Sequence, residues 1–449
     1  MPKKKFGIVL PIVLVSYFMI LLDNSIVFTS TVKISQDLHM SAQALSWISD
    51  AYILTFGGLL LFSSRLGDLY GRKRIFEIGL GIFTLASLLV GLSVNAPMMI
   101  ATRALQGIGS SIIAPTTLAL LIDNYQGEML QRGINYYGVT AGLGASFGLL
   151  IGGLIASFTS WRVGFLINVP IGLVLLILTQ RYLRDQVEPQ AIKLDWSGAI
   201  LSVLGLSGII YGINGGPGRI VALVMGIVLL GGFVLQERQR VQPIMPLGLF
   251  ADRTRVLAYL ARFCFMGVSF TYLYLAPQLL QNLYQYTPLQ AAFAFLLMTI
   301  PQFFVASSVS ALNQRFSNGQ IAFGATLFMV LAFAWILIVD LVAGFWVSLA
   351  IPMVLIGIGN GLAMAPLTAL GVQNTTGAEA GAASGVVNTF HQIGQSTGLA
   401  ITIALVGSIA DPAVSFNRAV MILMMITFVA VIALGWLQIG QKQEVSDEG

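Results

Sequence analysis

With 449 residues, 57% of them hydrophobic and only 9% charged, this chain cannot clothe itself in water as a soluble domain of that length must. The formal net charge of +5 comes from basic residues scattered between apolar runs, not from the contiguous basic surface that nucleic acid requires. The single cysteine, Cys264, excludes an intramolecular disulfide framework.

A helix crossing the hydrocarbon of a bilayer needs roughly 20 mostly apolar residues. In chain order, the apolar runs predict spans near 7–29, 45–64, 75–95, 97–121, 133–157 and 162–182. Two more follow near 196–213 and 218–236, and six lie near 255–280, 289–310, 320–340, 345–369, 380–408 and 419–439. The basic N-terminus ahead of the first run resembles a signal peptide, but the run is too long for one and is read as a span. With the N-terminus inside, fourteen spans put seventeen basic residues on the cytoplasmic side. Only Lys33, Arg162, Arg219 and Arg418 fall outside. That asymmetry follows the positive-inside rule and predicts a multi-pass cell-membrane protein with both termini cytoplasmic.

Two segments recur about 250 residues apart. Gly107-Ile108-Gly109 leading to Ala114-Pro115 returns as Gly357-Ile358-Gly359 leading to Ala365-Pro366, with one residue inserted. Gly144-x-x-x-Gly148 returns as Gly394-x-x-x-Gly398. The expected organisation is therefore an N-terminal six-helix bundle over 1–185, two inserted helices over 186–245 and a C-terminal six-helix bundle over 246–449. Parallel six-helix halves suggest alternating access to a site near the midplane.

Between the second and third spans the chain reads Ser64-Arg65-Leu66-Gly67-Asp68-Leu69-Tyr70-Gly71-Arg72-Lys73-Arg74. This resembles the signature cytoplasmic loop of the major facilitator superfamily, with Ser64 where the pattern has a glycine. Leu21-Leu22-Asp23-Asn24-Ser25, Arg103-Ala104-Leu105-Gln106-Gly107, Ser160-Trp161-Arg162 through Asn168-Val169-Pro170, and Asp195-Trp196-Ser197-Gly198 narrow the resemblance. They are similar to the 14-span drug:proton antiporter branch. The resemblance implies an all-α fold of two six-helix bundles plus two added helices, and export of small amphipathic or cationic compounds in exchange for protons. It implies no cofactor. One departure stands out: Leu149 follows Gly148, where the antiporter motif has a proline. The glycines for close packing remain while the helix-bending residue is gone.

Ionisable groups inside spans are costly and usually functional. Asp23, Asp50 and Arg103 fall at a common depth in the outer half of the first, second and fourth spans. They are expected to form a proton-coupling cluster, in which a nearby cation favours the carboxylate and an apolar surrounding favours the acid. A purely structural ion pair is the alternative.

Asp68, Gly71 and Arg72 form the expected conformational latch, with Asp123 as a partner for Arg72. Gly144, Gly148 and Gly152 allow the close helix approach that the latch acts upon. Arg262 lies within reach of the cytoplasmic interface by snorkelling. His391, beside Gln392 and after Asn388, either titrates in the cycle or serves as a neutral hydrogen-bonding imidazole.

Aromatic residues near the midplane offer apolar surface and faces for cations. The candidates for substrate contact are Trp47, Tyr52, Tyr136, Tyr137, Phe147, Phe270, Tyr272, Tyr274, Phe303 and Phe390, together with Asn24, His391 and Gln392. No P-loop, metal-spaced His/Cys cluster or nucleophile elbow appears in a plausible context, so neither an enzyme nor a nucleotide-driven pump is expected. Expected partners are the substrates, protons and the bilayer, with a monomer as the working unit and no nucleic acid. The rival readings are an exporter or flippase of a lipid or dedicated metabolite and, behind it, a membrane sensor that no longer transports.

Overall fold

The computed structural model describes residues 6–183, 195–214, 217–240, 243, 245–375 and 377–447. Of these, the side chains at 61, 64, 65, 68, 131, 135, 141–143, 145, 146, 377–381 and 440–447 are outside the description. The described elements are helices: α1 (Val9–Asp37), α2 (Ala42–Tyr70), α3 (Arg72–Gly91), α4 (Ala96–Asn124) and α5 (Gly127–Phe158). Then come α6 (Trp161–Leu166), α7 (Asn168–Tyr182), α8 (Trp196–Asn214), α9 (Arg219–Gln239) and α10 (Arg253–Asn282). The chain ends with α11 (Pro288–Ala294), α12 (Leu296–Leu312), α13 (Asn318–Ile338), α14 (Ile351–Gly371), α15 (Gly377–Val406) and α16 (Pro412–Asp447).

Among the described residues, eleven helical segments are long and apolar enough to cross a membrane, with α6–α7 and α11–α12 each counting as one. The helices α2, α5 and α15 are also long, at 29, 32 and 30 residues.

Local chemistry sets the boundaries. Asn95 caps α4 by accepting from the Met98 amide at 2.9 Å, and Thr287 and Ser317 form capping boxes with Gln290 and Gln320. Several helices outrun their apolar stretches. At 1.5 Å per residue, 29 residues span about 44 Å, well beyond about 30 Å of hydrocarbon. The segment from Ser64 to Tyr70, read from sequence as a loop, is therefore the last turns of α2. Gly71 alone links α2 to α3, and its φ of 92° suits a residue without a Cβ.

The expected single helix over 162–182 is interrupted at Ile167. Pro170 lies just beyond; it lacks an N–H and its ring crowds the carbonyl of Leu166 four residues back. A π-turn at Trp346–Ala350 opens the stretch that continues as α14, next to Pro352, which likewise has no N–H.

The chain divides into two compact units, Met1–Leu204 and Gly205–Gly449. In the first, α1 packs along α5, and α4 lies between α2 and α3. In the second, α10 packs along α15, and α14 lies between α12 and α13. The recurring glycines make these seams in both units. A methyl on Gly148 would sit 2.7 Å from Ser25 Oγ, and one on Gly398 would sit 2.6 Å from the Gly267 Cα. Gly107 meets the backbone of Tyr52, as Gly357 meets that of Met298. Small residues let apolar helices approach where no hydrophobic force separates them from lipid.

Candidate functional site

The first unit encloses a polar cluster whose members come from five helices. Asp23, on α1, and Arg103, on α4, are almost completely buried. Arg103 Nη1 donates to Asp23 Oδ2 at 2.5 Å and to Gln106 Oε1 at 2.6 Å. Gln106 Nε2 donates to Asp23 Oδ1 at 2.7 Å and to Ser87 Oγ, on α3, at 2.8 Å. Asn168, the first residue of α7, adds a donor to Asp23 Oδ1 at 3.2 Å. The interruption of the helix at Ile167 sets the point at which Asn168 enters the cluster. Its own Oδ1 is buried with no hydrogen-bond partner among the described residues.

Arg103 Nε reaches the Ile48 carbonyl on α2 at 3.0 Å. The guanidinium carbon lies 4.4 Å from the Tyr52 ring centroid and 5.7 Å from that of Phe165. Such faces favour a cation withdrawn from water. Tyr52 extends the network by donating to Ser110 Oγ at 2.8 Å, while Asn24 donates to the Tyr52 hydroxyl at 3.3 Å. Asp50 is fully buried on α2, but the described bonds of Arg103 run to Asp23, Gln106 and Ile48 and not to it.

At the start of α3, Arg72 forms an ion pair with Asp123 at the end of α4 and reaches the Ala119 carbonyl at 3.3 Å. The Asp68 side chain lies outside the described residues. Gly144, Gly148 and Gly152 all face α1, where added methyls would meet Leu21, Ser25 and Thr29 at 2.6, 2.7 and 2.8 Å. At the far end of α1, Asp37 pairs with Arg162 and accepts from Trp161 Nε1 at 3.0 Å. Arg162 also donates to the Ser93 carbonyl at 2.9 Å, so this side chain joins α1, α6 and the turn that follows α3.

The aromatic candidates scatter. Tyr137 stacks on Tyr17 with centroids 4.1 Å apart. Trp47 is half-buried, and Phe147 and Tyr136 are exposed. Phe270, Tyr272 and Tyr274 are buried on α10, and Phe303 is exposed on α12. Phe390 stacks on Tyr259 at 5.4 Å.

In the second unit, Arg262 does not snorkel outward. It is buried, donates through Nη1 to the Met364 carbonyl at 3.0 Å, and places Nη2 2.9 Å from His391 Nδ1. His391 Nε2 lies 3.0 Å from the Gln395 amide. Gln392 is the next residue on α15, half-buried.

Gln106 and Asn168 were not singled out from sequence, although both lie inside motifs that were. For Gln106 the signal was a polar side chain three residues from Arg103, and for Asn168 a lone amide in an apolar run. The Asp37–Arg162 pair carried no comparable signal, because charges near span ends are ordinary.

Comparison with known proteins agrees with the helical architecture. The profile of the Major Facilitator Superfamily matches residues 13–399. The puromycin resistance protein pur8 of Streptomyces alboniger is 33% identical over 412 residues, covering 89% of this chain and 81% of the relative. The cephamycin export protein CmcT of Amycolatopsis lactamdurans is 31% identical, covering 88% and 83%. The uncharacterized MFS-type transporter EfpA of Mycobacterium tuberculosis is also 31% identical, covering 86% and 74%. Among solved structures, the POT family transporter PepTSo superposes with a TM-score of 0.72 at 13% identity, covering 98% of this chain and 99% of that one. The chain is thus a multi-pass membrane transporter, not an enzyme, and belongs to the Major Facilitator Superfamily.

Proposed function

We propose that the protein is a secondary active multidrug exporter of the bacterial cell membrane, exchanging protons for small amphipathic or cationic compounds by alternating access. The observation that carries the reading is the buried Asp23 with its Arg103, Gln106 and Asn168 donors. A carboxylate inside a membrane helix bundle is costly unless it is paired or protonated, and a coupling group must pass between those two states. Arg103 is arranged for both. When Asp23 takes up a proton, the guanidinium keeps the Gln106 side chain and the Ile48 carbonyl as acceptors.

The drug:proton antiporter branch, with fourteen spans and both termini cytoplasmic, fits this reading. Besides the eleven candidate spans, the length of the three further helices α2, α5 and α15 supports that count. Asp50 is a second proton carrier, and Arg72 with Asp123, Asp68 and Gly71 is a cytoplasmic latch. The substrates contact aromatic and polar groups drawn from Asn24, Trp47, Tyr52, Tyr137, Phe147, Phe270, Tyr274, Phe390, His391 and Gln392. The protein works as a monomer.

A second reading, export of one dedicated antibiotic, draws support from relatives whose names each specify a single compound, puromycin or cephamycin.

The deciding experiment uses purified protein in liposomes with an imposed pH gradient, following ethidium and internal pH together. Export that moves protons oppositely in the parent and fails in Asp23→Asn is expected. Ethidium flux without proton flux removes the coupling; no ethidium flux, with flux of puromycin or a cephamycin, favours the dedicated exporter.

A further inference from the structure

The second unit holds a buried cation with no acid paired to it among the described residues. Arg262 is 4% exposed, and among the described residues it forms no ion pair. Its Nη1 is tied to the Met364 carbonyl, its Nη2 meets the ring nitrogen Nδ1 of His391, and its Nε has no hydrogen-bond partner among the described residues. Nε and Nη2 are the two donors of the side-on edge of a guanidinium, the edge that takes a carboxylate through two parallel hydrogen bonds. In Arg262 the Nε donor has no partner among the described residues, while Nη2 is held by His391 at 2.9 Å. Nη1, on the other edge, anchors the group to the backbone.

A polar stripe lies on the helix packed beside α10. Ser384, Asn388, His391, Gln392 and Gln395 fall at helical spacing along one face of α15, the helix that packs on α10. Asn388 is exposed and the other four are half-buried. Gln392 makes no hydrogen bond among the described residues. A polar, partly open stripe on a helix of a membrane protein faces a water-filled space or a polar ligand rather than lipid.

We propose that Arg262, with His391, Gln392 and Gln395, forms a binding site for the carboxylate of anionic or zwitterionic amphiphiles. This widens the cargo beyond cations, and it rests on the exporter reading only in taking the ligand to be cargo. The carboxylate takes Nε–H and Nη2–H of Arg262 together and displaces the bond to His391. The amides of Gln392 and Gln395 donate to its outer lone pairs. A buried charge then gains the counter-charge that no described residue supplies.

The probe is cefoxitin, an amphiphile with one carboxylate, compared with its methyl ester. Affinities are measured by ligand-induced shifts in thermal unfolding of the purified full chain, for the parent, Arg262→Lys and Arg262→Gln. Ethidium export is followed in liposomes alongside. The parent is expected to bind the acid at least tenfold more tightly than the ester. Arg262→Gln removes that preference, and Arg262→Lys, which keeps the charge but not the fork, retains part of it. Equal binding of acid and ester by the parent overturns the proposal, even if Arg262→Gln does not fold. So does an equal weakening of acid and ester in both variants. Loss of ethidium export in the parent, with acid preference intact, counts against the cation-exporter reading and leaves the carboxylate site standing.

Discussion

Gln106 donates to Asp23 Oδ1 at 2.7 Å from a position three residues along α4 from Arg103, whose guanidinium holds the other oxygen at 2.5 Å. Both oxygens of a carboxylate buried inside α1 are thus held from α4. The pairing makes the two helices interdependent, and the consequences of breaking it differ according to which partner is removed.

Arg103→Gln leaves Asp23 as a buried acid without its cation. Removing one member of a buried pair destabilises by about 3–5 kcal/mol, because the other charge is stranded. Adding Asn at position 23 removes the stranded charge. The double variant, Asp23→Asn with Arg103→Gln, should therefore be more stable than Arg103→Gln alone. Thermal unfolding in detergent checks this. Additive losses would mean that the two residues do not act as a unit.

The glycine seams predict position-dependent tolerance. Gly398→Ala sets a methyl 2.6 Å from the Gly267 Cα, a backbone atom that cannot swing away. Gly81, on α3, has nothing within 4 Å of its added methyl. Gly398→Ala should fall in the range of overpacked sites, about 1–3 kcal/mol destabilised or more. Gly81→Ala should be neutral or stabilised by up to about 1 kcal/mol through helix propensity. Comparable unfolding midpoints for the two variants would contradict the packing argument.

Asp252 caps α10, accepting from the Arg255 amide at 3.0 Å and from Asn374 at 3.2 Å. Burial pushes its carboxyl up, but these bonds and the charge of Arg255 outweigh it and hold the group below its ordinary value of 3.8. A depressed acid stabilises the folded state fully above its unfolded pKa and loses that contribution as pH falls through the folded one. Asp252→Ala should cost about 1 kcal/mol near neutrality. The gap from the parent should narrow only below about pH 4. A gap that closes already between pH 7 and pH 5 would show that another group titrates.

What could be read from sequence follows from how each signal is encoded. Apolar runs and loop charge report the solvent, so the membrane helices were legible. The 250-residue recurrence of Gly144 and Gly148 as Gly394 and Gly398 was legible too, because close backbone approach admits little but glycine. The partnership of Asp23 with Arg103 could be inferred, since both are charges at one depth. The roles of Gln106 and Asn168 could not, because a neutral amide in a helix has no preferred partner until neighbouring helices are placed. Nor could sequence say that Arg103 turns its Nε to the Ile48 carbonyl while Asp50, two residues on, is not among its hydrogen-bond partners. A backbone acceptor leaves no mark on residue type. The break at Ile167 was implicit in Pro170, yet its effect, bringing Asn168 to Asp23, appears only in three dimensions.

The pair between Arg72 and Asp123 separates stability from function. Their side chains are 30% and 24% exposed, so solvent screens the attraction, and pairs of this kind contribute about 1 kcal/mol or less. Arg72→Ala should therefore barely shift the unfolding midpoint. If the pair latches one state of the cycle, the same change should slow ethidium export at least tenfold. The charge-swapped chain, Arg72→Asp with Asp123→Arg, should recover most of the rate, because the attraction is restored with its direction reversed. The reciprocal test matters, since Arg72 also donates to the Ala119 carbonyl at 3.3 Å. If the swapped chain exports no better than Arg72→Ala, the backbone contact and not the ion pair carries the effect, and Asp123 is no part of the latch.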